Sequence, residues 1–155
     1  MITAVDTNIL LDILVPDAPH GDSSELALYE ALGAGAVIVS EAVYAELAAQ
    51  FPEQVELDRF IQDSGIRLKS SGPQALHAAG RAWGQYLGRR PASLVCPSCG
   101  NAQAVTCSRC DALLQPRQHV VADFLVGAHA LAQADGLLTR DREYYGTYFP
   151  NLRLI

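Results

Sequence analysis

Short apolar runs alternate along most of this chain with longer stretches in which apolar residues recur every three or four positions. The first run, Ile2, Ala4 and Val5, suits a buried strand. It stops at Asp6-Thr7-Asn8, small polar residues that cap a helix start, and Ile9, Leu10, Ile13 and Leu14 then repeat at helical spacing. The same unit recurs: Ala36 to Val39 reads as a short buried strand, Ser40 caps, and a helix follows from Glu41 to Phe51. Between the two units, Pro16 to Gly21 is a loop. Asp22 or Ser23 opens a helix to about Leu32, with Leu26, Tyr29 and Leu32 on one side, and Gly33 and Gly35 end it.

Further along, Pro52 to Ser64 carries Val55, Leu57, Phe60 and Ile61 and reads as another helix. Ile66 to Leu68 reads as a strand, and Gly72-Pro73 opens a helix through about Leu87 with Leu76, Ala79, Trp83 and Tyr86. From Gly88 to Gln118 the periodicity fails. It returns from His119 with Val120, Val121, Phe124, Leu125, Ala128, Leu131 and Ala132. A short strand at Gly136 to Thr139 stops at Arg140-Asp141. Tyr144, Tyr145, Tyr148 and Phe149 form an aromatic cluster expected to pack on the preceding helix, and Leu152 to Ile155 is a last strand. Strands alternating with helices imply a mostly parallel sheet with helices on both faces and right-handed crossovers. At 155 residues the chain is read as one domain, with 88–118 inserted in it.

Half the residues are hydrophobic and 18% are charged, which fits a globular protein. No apolar run spans a bilayer, and no basic region precedes the first apolar stretch, so the expected location is cytoplasmic. A formal net charge of -6 argues against a broad basic nucleic-acid face. It leaves room for an enzyme that holds a phosphate backbone through a few arginines and a bound metal.

All four cysteines lie in the aperiodic segment, as Cys96-x2-Cys99-x7-Cys107-x2-Cys110. Two such knuckles can bring four thiolates into the tetrahedron that zinc accepts. Two disulfides suit a secreted chain, and an iron site of this kind sits at the centre of its own fold, so structural Zn²⁺ is the favoured reading. The short spacing between the pairs suggests a compact hairpin clip. Arg109 and Arg117 could help it position a phosphate backbone or a second subunit; solvated charges are at least an equal reading.

Four acids stand where the pattern changes. Asp6 follows the first strand, Glu46 lies on the helix after the second, Asp123 is the acid in the first turns of an apolar helix, and Asp141 follows a late strand. Two of them have a plain alternative, Asp6 as a helix cap and Glu46 as a solvated glutamate; His119, four residues before Asp123, reads more simply as a helix-start residue. A parallel sheet can gather all four at the carboxyl ends of its strands, where ligands bind in such folds. Clustered carboxylates repel one another, and oxygen ligands with open positions favour Mg²⁺ or Mn²⁺. Such ions could bridge a phosphodiester, activate water and stabilise the leaving oxygen.

These pieces resemble the PIN-domain nucleases, and among them the VapC-like toxins of toxin–antitoxin modules. The resemblance rests on Val5-Asp6-Thr7-Asn8-Ile9-Leu10, Ser40 with Glu46-Leu47, Asp123 with Ala128, and Leu138-Thr139-Arg140-Asp141, and covers residues 1–87 and 119–155. It implies a PIN-like fold and Mg²⁺- or Mn²⁺-dependent endoribonuclease activity. It implies metal-binding catalytic acids at Asp6, Glu46, Asp123 and Asp141, with Thr7, Asn8 and Thr139 in support. It also implies a homodimer and inhibition by a cognate antitoxin. A housekeeping RNA-maturation nuclease and a non-catalytic zinc-containing docking module are the alternatives.

Overall fold

The structure, a computed structural model, describes residues 1–89, 93–96, 98–114 and 121–155. Its centre is a four-stranded sheet of β1 (Ile2–Val5), β2 (Ala36–Val39), β3 (Ile66–Leu68) and β8 (Gly136–Leu138), in the order β3-β2-β1-β8. All three pairings are parallel, with Thr3 opposite Val37 on one side and Gly136 on the other. Val5, Val37, Val39 and Leu137 are buried, which is why β1, β2 and β8 read as apolar runs, while the edge strand β3 alternates and buries only Ile66. The expected last strand is reduced to one parallel bridge, Leu137 with Leu154, at the β8 edge.

The helices are α1 (Thr7–Leu14), α2 (Gly21–Ala34), α3 (Glu41–Leu47), α4 (Gln54–Asp63), α5 (Pro73–Arg89), α6 (Val121–Gln133) and α7 (Arg142–Tyr148). They cover both faces of the sheet, giving an α/β fold. The helix expected from Glu41 to Phe51 tightens after Leu47 into a 3-10 turn at Ala48–Gln50. The expected helix start at His119, and Arg117 before it, lie outside the described residues.

Two helices turn a different face inward than their largest apolar residues suggest. In α2, Leu26 and Tyr29 are exposed, while Ser24, Leu28 and Ala31 are buried. In α5, Leu76 and Leu87 are exposed, and Ala75, Ala79, Ala82 and Tyr86 face in. α5 and α6 pack against each other, and the buried face of α5 carries the small residues Ala75, Ala79 and Ala82, which allow a close approach. One end of this pair is fixed by aromatic rings. Phe124 lies 5.5 Å from Trp83 and 5.3 Å from both Tyr144 and Tyr148, ring centre to ring centre. The expected aromatic cluster therefore joins α5, α6 and α7, and it anchors the residue next to Asp123.

Between α5 and α6 the described residues include two small antiparallel hairpins. One pairs β4 (Leu94–Val95) with β5 (Ala102–Gln103), and the other pairs β6 (Val105–Thr106) with β7 (Leu113–Leu114).

Candidate active site

The chain leaves β1 for β2 and β3 on one side and returns to β8 on the other. The strand order therefore switches between β1 and β8, the place where open parallel sheets form a crevice. Asp6 stands at the carboxyl end of β1, and Thr139 follows β8.

Asp6 is nearly buried and is held by three donors. Its Oδ1 accepts the Thr7 backbone N–H at 2.8 Å, so it caps α1 as well. Its Oδ2 accepts Asn8 Nδ2 and the Thr139 hydroxyl, both at 2.6 Å. The Thr139 oxygen in turn accepts Asn8 Nδ2 at 3.2 Å and the Asp141 backbone N–H at 3.0 Å. Thr7, Asn8 and Thr139 thus lock one carboxylate in one orientation. The Thr7 hydroxyl also donates to Glu46 Oε2, which ties α3 to the start of α1.

Burial pushes the Asp6 carboxyl up to about 6, against the pull of the Thr139 and Thr7 hydrogen bonds. The charges of Asp123 and Glu46 add to the rise. These three acids therefore share one electrostatic neighbourhood, from β1, α3 and α6. Asp141 sits at the N-cap of α7, exposed, and its Oδ1 accepts the Tyr144 N–H at 3.4 Å. Burial also raises the Tyr144 hydroxyl far above its usual value, with the Asp123 and Asp141 charges contributing. Among the described residues, no three His, Cys, Asp or Glu side chains converge closely enough to cage an ion.

The four cysteines are free thiols in two pairs, one on each hairpin. Backbone N–H groups of Cys99 and Ser98 hold the Cys96 thiol below its ordinary pKa, and those of Arg109 and Cys110 do the same for Cys107.

Two features escaped sequence reasoning. The first is Asp12, buried in α1, whose carboxylate takes Arg140 Nε at 2.7 Å, Arg140 Nη2 at 2.9 Å and the Ser24 hydroxyl at 2.7 Å. The Arg140 backbone N–H donates to Asn8 Oδ1 at 3.3 Å, so this clamp ties α1 and α2 to the loop after β8. An acid inside Leu10-Leu11-Asp12-Ile13-Leu14 carries the same signal that singled out Asp123. The second is buried His129, whose Nδ1 lies 3.1 Å from the Ser71 hydroxyl, itself bonded to Glu41 at 3.0 Å. Gln133, one turn on in α6, also lies 3.3 Å from Nδ1, but the local pattern does not reveal the group, because Ser71 and Glu41 lie far from it in the chain.

No family model matches the sequence, and no curated protein matches it. Solved structures do. The VapBC2 structure from Rickettsia felis, bound to a DNA fragment from its promoter, aligns with a TM-score of 0.61 at 19% identity. The alignment covers 100% of this chain and 98% of that one. VapBC-1 from nontypeable Haemophilus influenzae aligns at 0.62 with 16% identity, over 100% and 97%. VapC20 from Mycobacterium tuberculosis, a sarcin-ricin loop cleaving toxin, aligns at 0.52 with 13% identity, over 93% and 95%. The chain has the PIN-like α/β fold of these VapC structures. No helix of the described residues is long and apolar enough to cross a membrane.

Proposed function

We propose that this chain is a metal-dependent endoribonuclease that hydrolyses RNA phosphodiester bonds in the cytoplasm, as the toxin of a toxin–antitoxin pair. The observation that carries the reading is Asp6: a nearly buried carboxylate at the switch point, fixed by Thr7, Asn8 and Thr139 and pressed upon by Asp123 and Glu46. A fold has little reason to assemble that arrangement for stability alone, since gathering like charges costs free energy.

The donor set fits a hard divalent ion. Mg²⁺ keeps several waters and uses one or two carboxylates plus substrate phosphates, so it needs no closed protein cage. Asp6, Glu46, Asp123 and Asp141 would hold Mg²⁺ or Mn²⁺, which supplies an acidified water and charge stabilisation at the leaving oxygen. The chain's own part is orientation. Thr139 and Asn8 aim Asp6, Thr7 aims Glu46, and the Thr139 oxygen fixes the Asp141 backbone.

RNA as substrate is supported by the likeness to VapC20 and by the acids, which suit a phosphodiester reached through a metal. An antitoxin protein and a homodimer are the partners we infer, together with a structural Zn²⁺ at Cys96, Cys99, Cys107 and Cys110. Residues 1–155 are read as one PIN-like domain carrying 88–118 as an insertion.

The test is cleavage of total RNA, with sequencing of the new ends, in Mg²⁺, in Mn²⁺ and in chelator, using Asp6→Asn as control. Metal-dependent ends made by the wild type and lost in the variant are expected. Equal cleavage by both proteins would place the chemistry elsewhere.

A further inference from the structure

The two hairpins between α5 and α6 are built alike. In each, the first cysteine's N–H donates to the carbonyl five residues on, Cys96 to Asn101 and Cys107 to Ala112, both at 2.9 Å. In each, the N–H four residues on returns to that cysteine's carbonyl, Gly100 to Cys96 and Asp111 to Cys107, again at 2.9 Å. Both returning residues have left-handed backbone, φ 71° at Gly100 and 57° at Asp111. Glycine takes that conformation freely, and aspartate is one of the few other residues that take it, as a single turn residue. In both, the N–H groups two and three residues on point at the first cysteine's sulfur: Ser98 and Cys99 at Cys96, Arg109 and Cys110 at Cys107. A sulfur that collects two backbone N–H groups is arranged to carry negative charge.

Each hairpin therefore presents half of a tetrahedral thiolate site, and only Ala104 separates β5 from β6. Such a tether keeps each pair at high effective concentration near the other. The hairpins also lack a core. Their strands are two residues long, Ala102 and Gln103 are exposed, and Leu113 and Leu114 are exposed as well. Strand pairs this short are not stable alone and need a staple.

We propose that one Zn²⁺ joins the two half-sites into a single intrachain site of four thiolates, and that this closure sets the α5–α6 connection and thereby the first turn of α6, where Asp123 is the third residue. Soft thiolates select zinc over the hard ions suited to the carboxylates, so the two metal sites stay chemically separate. Zinc binding displaces a proton from each thiol still protonated, and nothing is oxidised. The consequence for cleavage rests on the nuclease reading; the zinc site does not.

The experiment uses the full chain, reduced and stripped of metal, with Co²⁺ as a spectroscopic stand-in for zinc. One equivalent should produce sulfur-to-cobalt charge-transfer bands and tetrahedral d–d bands, and one equivalent of Zn²⁺ should bleach them. The variants C96S/C99S and C107S/C110S should each lose the tetrahedral spectrum. Two independent metals per chain, or a spectrum that survives either variant, would overturn the single site. Sedimentation should show the same mass with and without zinc; zinc-driven dimerisation would overturn intrachain closure. Zinc should slow amide exchange in residues 93–114 and in the first turn of α6, and leave β1 and β2 unchanged. No change in α6 would overturn the coupling. Zinc-stripped wild type, returned to Mg²⁺, should cleave RNA at least several-fold more slowly than loaded protein, and recover when zinc is restored; equal rates would overturn the coupling. Loaded protein that cuts no RNA would sink the nuclease reading, while the cobalt spectrum would still decide the zinc site.

Discussion

A buried carboxylate held by three donors is the residue on which the functional reading turns. The folded-state value of about 6 for Asp6 lies above its ordinary 3.8. Its protonated form is therefore favoured by folding, and the stability it contributes is present below about pH 4 and lost as pH rises through about 6. Metal-free Asp6→Asn should not show this loss. In chelator, the variant's melting temperature should exceed that of wild type at pH 7 and converge with it near pH 4, a gain of about 1–3 kcal/mol at neutral pH. A constant difference across that range would mean that Asp6 does not titrate as its surroundings dictate. His129, held below 6.5 by burial, acts in the opposite direction, since the unfolded chain takes up its proton first. It is common to both proteins and cancels in the comparison. Arg140→Ala leaves Asp12 buried without its counter-charge. Because the guanidinium is 41% exposed, the expected cost is about 2 kcal/mol rather than that of a fully buried pair, read by urea unfolding.

Elements meet at a few close approaches, and glycines mark them. Gly35 joins α2 to β2 at φ 156°, and a Cβ there would lie 2.1 Å from the Met1 carbonyl oxygen. That contact sets Ile2 opposite Ala36, because the Ala36 N–H donates to the same oxygen at 2.9 Å. In α6, a Cβ on Gly127 would lie 2.4 Å from the Phe149 ring. Gly84, exposed in α5, would meet nothing within 4 Å. Gly127→Ala should therefore destabilise by about 1–3 kcal/mol through overpacking, and Gly35→Ala by more, because backbone must move. Gly84→Ala should stabilise by about 0.5–1 kcal/mol as an ordinary helix-interior change. Urea midpoints of the three variants give the ranking, and a stabilised Gly127→Ala would show that α6 and Phe149 do not pack as described.

For the whole molecule, metal binding and folding should be linked. Ions that relieve the repulsion among Asp6, Glu46 and Asp123 would bind the folded chain alone, so on the proposed function millimolar Mg²⁺ or Mn²⁺ should raise the melting temperature. The rise should shrink in an Asp6→Asn, Asp123→Asn double variant. An equal rise in both would place the ions elsewhere. β1, β2 and β8 were legible as apolar runs and β3 as a short alternation, and the succession of strands and helices implied the parallel pairing. What could not be read were faces and partners. Leu26 and Tyr29 look like a core stripe, yet Ser24, Leu28 and Ala31 face inward, because Ser24 meets Asp12 there.

Local pattern by itself determined the four strands of the central sheet, the caps at Asp6 and Ser40 and the positions of the acids and cysteines, because period, capping and turn chemistry act over a few residues. It misplaced the start of α2, which begins at Gly21 after His20 rather than at a cap by Asp22 or Ser23. Tertiary structure alone decided which of these meet. Thr139 reaches Asp6 across 133 residues of chain, and Arg140 reaches Asp12 across 128. Small alanines rather than leucines form the α5 face that packs inward. The strand at Leu152 to Ile155 shrank to a single bridge, since pairing needs a partner edge and not only an apolar run. The pKa of Asp6 is likewise a property of the fold: its burial and the charges beside it come from β1, α3 and α6 together, and no segment carries them alone.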